Sequence, residues 1–356
     1  MCTILLVTIL TSCTCNCSDN VHTGGWNPPY GNTIIFARQG VSGIELCVLD
    51  SDGPDVATLT DDIGNEFYYA WSPDGTKVAY VSNDDEIYVV DADGSNKVKL
   101  TQDTKWNGMP AWSPDGDKIA FVGSEEIDGE DGIILQSNIY VTDSDGSNQT
   151  NLIDSNEYTH IKNPIWSPDS TKVAFMGGSE VGSMDYKHDL YVINADGSNM
   201  DNITNHDGYM YSPAWSPDGT KIAFYTYDSI NRGICVVTVN DSDMETFTYQ
   251  PDYFEGSPQW SPDGNKIAFA SNRDGNWEIY VMDVDGTNLT NLSNSSESAD
   301  RYPYWSYDGG MIAFASDRDG NWEIYVMNSD GSNMTNITNS PGDELYPVWS
   351  KRRAYP

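Results

Sequence analysis

The chain has 356 residues, with 18 Lys+Arg against 54 Asp+Glu, for a formal net charge of −36. A phosphate-binding surface needs a density of Lys and Arg that this composition lacks, which excludes nucleic acid and argues against adhesion to an anionic membrane surface. Aromatic residues make up 12% of the chain, enough for a packed core and too many for a disordered one.

The acid is mostly of one kind, 40 Asp against 14 Glu. Asp is a turn-former because its short carboxylate accepts from backbone amides two residues on. With 31 Gly and 17 Pro, the composition predicts many tight turns between short strands.

In chain order, the first element is not part of the fold. Residues 4–10 (ILLVTIL) form a seven-residue apolar run, too short for a transmembrane helix and suited to the core of a secretory signal. It runs into Leu10-Thr11-Ser12-Cys13, which resembles a bacterial lipobox, so Cys13 is the expected lipidation site. Met1-Cys2-Thr3 departs from a usual signal in carrying no Lys or Arg. Residues 1–17 are read as a signal or lipoprotein-like segment, 18–30 as a tether and 31–356 as one propeller domain. Cys13, Cys15 and Cys17 have no further ligand at zinc spacing.

The remainder is repetitive. Trp precedes Ser at positions 71, 112, 166, 215, 260, 305 and 349, with spacings of 41 to 54 residues. Five of these anchors continue as Ser-Pro-Asp, as in 71-WSPDGTKVAY and 260-WSPDGNKIAF, and 305-WSYDGGMIAF is degenerate. Each unit then carries a second apolar run, such as 86-EIYVVD or 278-EIYVMD. An Asp-Gly turn (91-DADGSN) and a short Leu-Thr strand follow. This predicts four short antiparallel strands, A to D, with Trp on A, Ile-Ala-Phe on B, Ile-Tyr-Val on C and Leu-Thr on D. One such sheet cannot bury both faces, whereas radial stacking buries them.

The ends complement each other. Trp349 supplies a strand A with no B, C or D after it, and 33-TIIFA to 58-TLT supplies B, C and D with no A before it. The fold expected is therefore all-β. It is a seven-bladed β-propeller of four-stranded antiparallel blades, its ring closed by pairing of the C-terminal strand with the N-terminal blade.

The repeat Pro-x-Trp-Ser-Pro-Asp-Gly-x-Lys-Ile-Ala-Phe, followed by a run such as 272-NRDGNWEIYVMDVDGTN, resembles the TolB-type WD-like propeller repeat. The resemblance covers nearly the whole chain after the tether. It implies the propeller without the α/β domain that precedes it in TolB, because about 30 residues stand before the first strand.

Conspicuous residues have structural readings. The anchor Trp residues are expected to pack blade on blade, and Cys47 and Cys235, in the slot that holds Tyr in other units, to be buried thiols. The Asp-x-Asp-Gly turns lack the Glu of a calcium loop, since the twelfth position from Asp91 is Gln102. His160, His188 and His206 are too few for a multi-His site. Neither a metal nor another cofactor is expected.

Loops alternate between the two ends of an up-and-down sheet. The A–B and C–D turns are short and uniform, so they read as scaffold. The B–C and D–A connections vary, so they read as functional. Two B–C connections, 124-SEEIDGEDGIILQSN and 177-GGSEVGSMDYKHD, are long. The candidate ligand-binding residues are Trp106, Tyr158, His160, Tyr209, Tyr211, Phe254, Glu255, Arg301, Tyr302 and Tyr346, rings beside charges near the channel mouth. Acid in residues 125–131 and at the mouth favours a cationic partner there.

Function follows from this face. The expectation is an exported, monomeric protein, periplasmic or on the cell surface and envelope-associated, reaching the membrane through a lipid on Cys13. It acts as a scaffold for a protein or peptide. The alternative is a carbohydrate-binding or lyase-like propeller. Prolyl-peptidase chemistry is not expected, because no Gly-x-Ser-x-Gly is present, and catalysis as a whole is the weaker expectation.

Overall fold

A computed structural model describes residues 33–40, 43–51, 56–60, 68–101, 106–129, 132–153, 160–178, 188–205, 208–227, 232–249 and 252–350; side chains of 127–129 and 132–135 are not described. Residues 1–32, with Cys13 and the expected signal and tether, lie outside these ranges.

The described strands form seven four-stranded antiparallel sheets, one per repeat. Blade 1 takes strands B, C and D from Thr33–Gln39, Ile44–Asp50 and Val56–Thr60, and its strand A from Glu344–Trp349. The closing pair runs Ile34↔Trp349, Ile35↔Val348, Ala37↔Leu345 and Arg38↔Glu344. Ser350 N donates to Thr33 O at 2.8 Å and extends that ladder. Blades 2 to 7 follow in sequence order, each with its own A, B, C and D.

The seven hydrophobic clusters each join two neighbouring blades. The cluster between blades 5 and 6 takes Ala223, Tyr225, Ile234 and Val236 from one, and Trp260, Ile267, Phe269, Tyr280 and Met282 from the other. The opposite face of blade 6 gives Ala268, Ala270, Ile279 and Val281 to the next cluster, facing Trp305, Ile312, Phe314, Tyr325 and Met327 of blade 7. Alternation in a strand sends Ile and Phe to one face and Ala to the other. Each sheet is therefore large on one side and small on the other, and large meets small around the ring. Phe269 stacks on Tyr280 across the B–C pair with centroids 5.9 Å apart. Cys47 and Cys235 fill the Tyr slot as buried thiols, the Cys235 Sγ lying 3.2 Å from Thr246 Oγ1; burial pushes Cys47 up to about 12.

The anchor Trp residues also tie blades by hydrogen bonds. Trp71, Trp166, Trp215, Trp260 and Trp305 each donate Nε1 to a carbonyl on strand A of the preceding blade, at 3.0 to 3.3 Å.

The uniform end explains the excess of Asp. In the A–B turn of blade 2, Asp74 Oδ1 accepts from Ser72 Oγ at 2.8 Å and from Thr76 N at 3.0 Å, while Ser72 Oγ accepts from Lys77 N. Glu would overshoot this geometry. In the C–D turn, Asp93 Oδ1 accepts from Ser95 N, and Asn96 stands at φ 54°, a left-handed conformation that Asn tolerates. The Ser261 hydroxyl and the Asn265 amide hold Asp263 below the usual carboxylate range. Among the described residues, no group of three or more His, Cys, Asp or Glu is placed to hold a metal ion.

One expectation is corrected. The stretch 124–138 is not a loop. Strands Lys118–Gly129 and Gly132–Asp143 pair continuously from Lys118↔Asp143 to Gly129↔Gly132. Strand A of blade 3 stops pairing at Trp106↔Ser124, so the tip of the hairpin continues past the sheet as a two-stranded ribbon. The other long connection lies mostly outside the described residues.

Candidate functional site at the variable end

Strand A brings the same local device to the channel mouth in six blades. The residue three before Trp is left-handed: Met109, Asn163, Ser212, Ser257, Tyr302 and Tyr346, at φ 51° to 59°. Pro follows each, and the A–B register slips at the same place in all six units. This is a β-bulge set before a residue that cannot donate to the ladder, and it re-aims the start of strand A. For Tyr302 and Tyr346 the conformation is an outlier, since bulky side chains avoid it.

Beside three of these bulges lies a buried acid, five before the Trp. Glu255 is 4% exposed and Asp300 0%. Arg273 pairs with Glu255, which also accepts from Thr248 Oγ1 and Ile234 N. Arg318 pairs with Asp300. Glu255 was expected among ligand-binding residues; the structure places it in this contact between blades 5 and 6, with its oxygens occupied. Burial raises it above the usual carboxylate range, and Thr248 and Arg273 draw it back.

Glu344 occupies the same position in blade 1 and is also 0% exposed, but among the described residues neither oxygen has a hydrogen-bond partner. Gly40 stands where the corresponding Arg would be, and Arg38 is paired with Glu45 at 2.7 Å. Thr338 and Ser340 give their donors to Glu323, which adds its charge against Glu344. Burial first and that repulsion second raise Glu344 to about 7.

The other expected site residues fall into two groups and two outliers. In blades 5 and 6, Tyr211 stacks on Tyr225 at 6.1 Å, Tyr209 tilts against Tyr227 at 6.3 Å, and Tyr227 stacks on Phe254 at 5.8 Å. The Arg232 guanidinium lies 4.5 Å from the Tyr227 ring and 4.3 Å from Phe254. In blades 6, 7 and 1, Tyr302 and Tyr346 meet with centroids 4.2 Å apart, and Tyr69 Oη donates to Tyr346 O at 2.5 Å. Arg301 lies 4.7 Å from the Trp277 ring and 5.7 Å from Trp322. Trp106 and His160 begin strands A of blades 3 and 4 and join neither group. Tyr158 lies outside the described residues.

Tyr227, Arg232, Trp277 and Trp322 were not among the expected residues. A signal for the two Trp was present: they stand just before strand C in 272-NRDGNWEIYV and 317-DRDGNWEIYV, away from every Trp-Ser anchor.

A ring of seven such blades, with Ser-Pro-Asp-Gly turns on one end and bulged aromatic strands at the other, defines a TolB-type β-propeller. The family described as TolB beta propeller domain matches residues 171–355, just over half of the chain, and the chain belongs to it. Residues 43–128 match the dipeptidyl peptidase IV N-terminal region. No curated protein sequence matches the chain.

Among solved structures, TolB from Acinetobacter baumannii is 18% identical, with a TM-score of 0.53 over 90% of this chain and 83% of its own. Oligogalacturonate lyase from Vibrio parahaemolyticus is 18% identical, with a TM-score of 0.67 over 83% and 86%. A puromycin-hydrolyzing peptidase from Mycobacterium tuberculosis is 14% identical, with a TM-score of 0.69 over 87% of this chain and 52% of its own. At these identities the likeness is one of fold.

Proposed function

We propose that this propeller is an exported, envelope-associated scaffold that docks a protein or peptide on its variable end, with Cys13 as the lipid attachment point. One observation carries the docking reading. The described exposed large hydrophobics at this end are Tyr211, Tyr227, Tyr249 and Phe254, and all four belong to blades 5 and 6. The other four, Val98, Met200, Leu289 and Tyr307, are scattered at the uniform end. Contiguous exposed aromatics on a rigid frame, with an Arg among them, have the composition of a protein interface core. Membership of the TolB propeller family supports a protein partner and an envelope location by analogy.

The test is affinity capture from the native envelope with three baits: the wild type, Tyr211→Ser with Phe254→Ser, and Tyr307→Ser at the other end. The same partner should be held by the wild type and Tyr307→Ser and lost by the double variant, with melting temperatures unchanged. Equal retention by all three baits would sink the reading.

A further inference from the structure

All five described arginines gather at the variable end of a chain whose net charge is −36. Arg38, Arg232, Arg273, Arg301 and Arg318 lie where strand B meets C or D meets A, whereas Lys77, Lys118, Lys172, Lys221 and Lys266 each begin strand B at the other end. Three of the arginines neutralise acids of this chain, Arg38 with Glu45, Arg273 with Glu255 and Arg318 with Asp300. Arg232 is stacked on Tyr227 and Phe254.

Arg301 differs. Among the described residues it has no acidic partner. Its Nε is buried without a hydrogen-bond acceptor, and its guanidinium lies beside the rings of Trp277 and Trp322. A guanidinium stays charged at any accessible pH. Removing it from water without a counter-charge is costly, and cation–π contact offsets only part of that cost. The next residue, Tyr302, is held at φ 58° with its ring against Tyr346, itself at φ 59°. That conformation is the strand-A bulge shared by six blades, and at these two positions it carries a bulky ring. A half-buried cation is thus fixed beside two indoles with tyrosines alongside, and no described group completes it.

A planar guanidinium fork is matched by a carboxylate, which accepts two parallel hydrogen bonds. We propose that Arg301, held beside Trp277 and Trp322, receives a carboxylate of the docked peptide, either its C-terminus or an acidic side chain. This rests on the docking reading and gives the partner a chemical requirement. A peptide is favoured over an acidic sugar because the site and the exposed aromatic patch share the variable end of blade 6, where Phe254 is bonded to Asn272 of the turn that leads to Trp277. It differs from the expectation of a cationic partner at the mouth, where Glu255 and Asp300 are paired to Arg273 and Arg318, and leaves that expectation untouched at residues 125–131.

The test uses the full chain with 15N-labelled indoles, the Trp277 and Trp322 signals being assigned with Trp277→Phe and Trp322→Phe. Three tripeptides are titrated into the millimolar range at constant ionic strength. Acetyl-Ala-Ala-Ala has a free terminal carboxylate, acetyl-Asp-Ala-Ala-amide only a side-chain carboxylate, and acetyl-Asn-Ala-Ala-amide neither. Glucuronate is a fourth probe. At least one carboxylate peptide should move both indole signals to saturation, and the Asn peptide should move neither. Arg301→Gln should abolish the response with the other indole signals in place, and Arg301→Lys, which keeps charge without the fork, should weaken it at least fivefold.

No saturation with either carboxylate peptide overturns the proposal. So does saturation with glucuronate alone, which would make this an acidic-sugar site, and so does binding unchanged in Arg301→Lys. These probes need no partner protein, so their failure leaves the docking reading standing. Failure of envelope capture removes the docking reading instead.

Discussion

Arg318 Nη2 lies 3.0 and 2.9 Å from the two carboxylate oxygens of Asp300, an acid with no solvent exposure. The pair joins strand A of blade 7 to its B–C turn, 18 residues on. Arg273 and Glu255 repeat it one blade earlier. Buried pairs add little net stability, yet removing one partner leaves a stranded charge. Arg318→Gln should therefore cost about 3 kcal/mol in urea unfolding. Adding Asp300→Asn should recover most of that loss. Simple additivity of the two substitutions would mean that they do not act on one interaction.

At the seam the same position holds Glu344 without its Arg. Its folded-state pKa, about 7, is above the ordinary 4.5 of Glu. A group raised in this sense binds its proton more tightly when folded. Its contribution is fully present below about pH 4.5 and is lost as pH rises through about 7. The shift corresponds to about 3 kcal/mol between those limits. Glu255 is raised in the same direction, while the turn Asp residues are lowered below the ordinary 3.8 of Asp and so act outside this window. The difference between wild type and Glu344→Gln isolates the seam. The variant should match wild type at pH 5 and exceed it at pH 8. A stability gap independent of pH between 5 and 8 would remove the assignment.

The blades and their order were legible in the sequence because each rests on local chemistry repeated seven times. Trp before Ser, the Asp that caps its own turn, and Ile-Ala-Phe alternation are visible within about ten residues. The incomplete ends around Thr33 and Trp349 gave the closure. What was not legible depends on pairs far apart in the chain. Glu255 looks like a free acid before a strand until Arg273, 18 residues later, is folded onto it. Residues 124–138 are rich in Glu, Asp and Gly and poor in β-branched residues, so they read as a loop. Their strands are made by backbone pairing that composition does not announce. Trp277 and Trp322 were hidden because the repeat drew attention to the anchors.

The anchor tryptophans allow the hydrogen bond between blades to be separated from the ring that carries it. Trp260 Nε1 donates to Ala214 O at 3.0 Å, so Trp260→Phe leaves that carbonyl without its donor and removes part of a buried ring. Trp112 packs at the equivalent position against blade 2, but its Nε1 has no acceptor among the described residues. Trp112→Phe therefore loses ring volume and relieves an unpaired donor. The first substitution should cost more than the second by about 1–2 kcal/mol, the usual net value of a hydrogen bond together with the penalty of an orphaned buried group. Urea unfolding of the two variants, with the same slope against denaturant as wild type, measures the difference. Equal losses would show that the rings alone hold neighbouring blades together and that the five Nε1 bonds contribute nothing measurable.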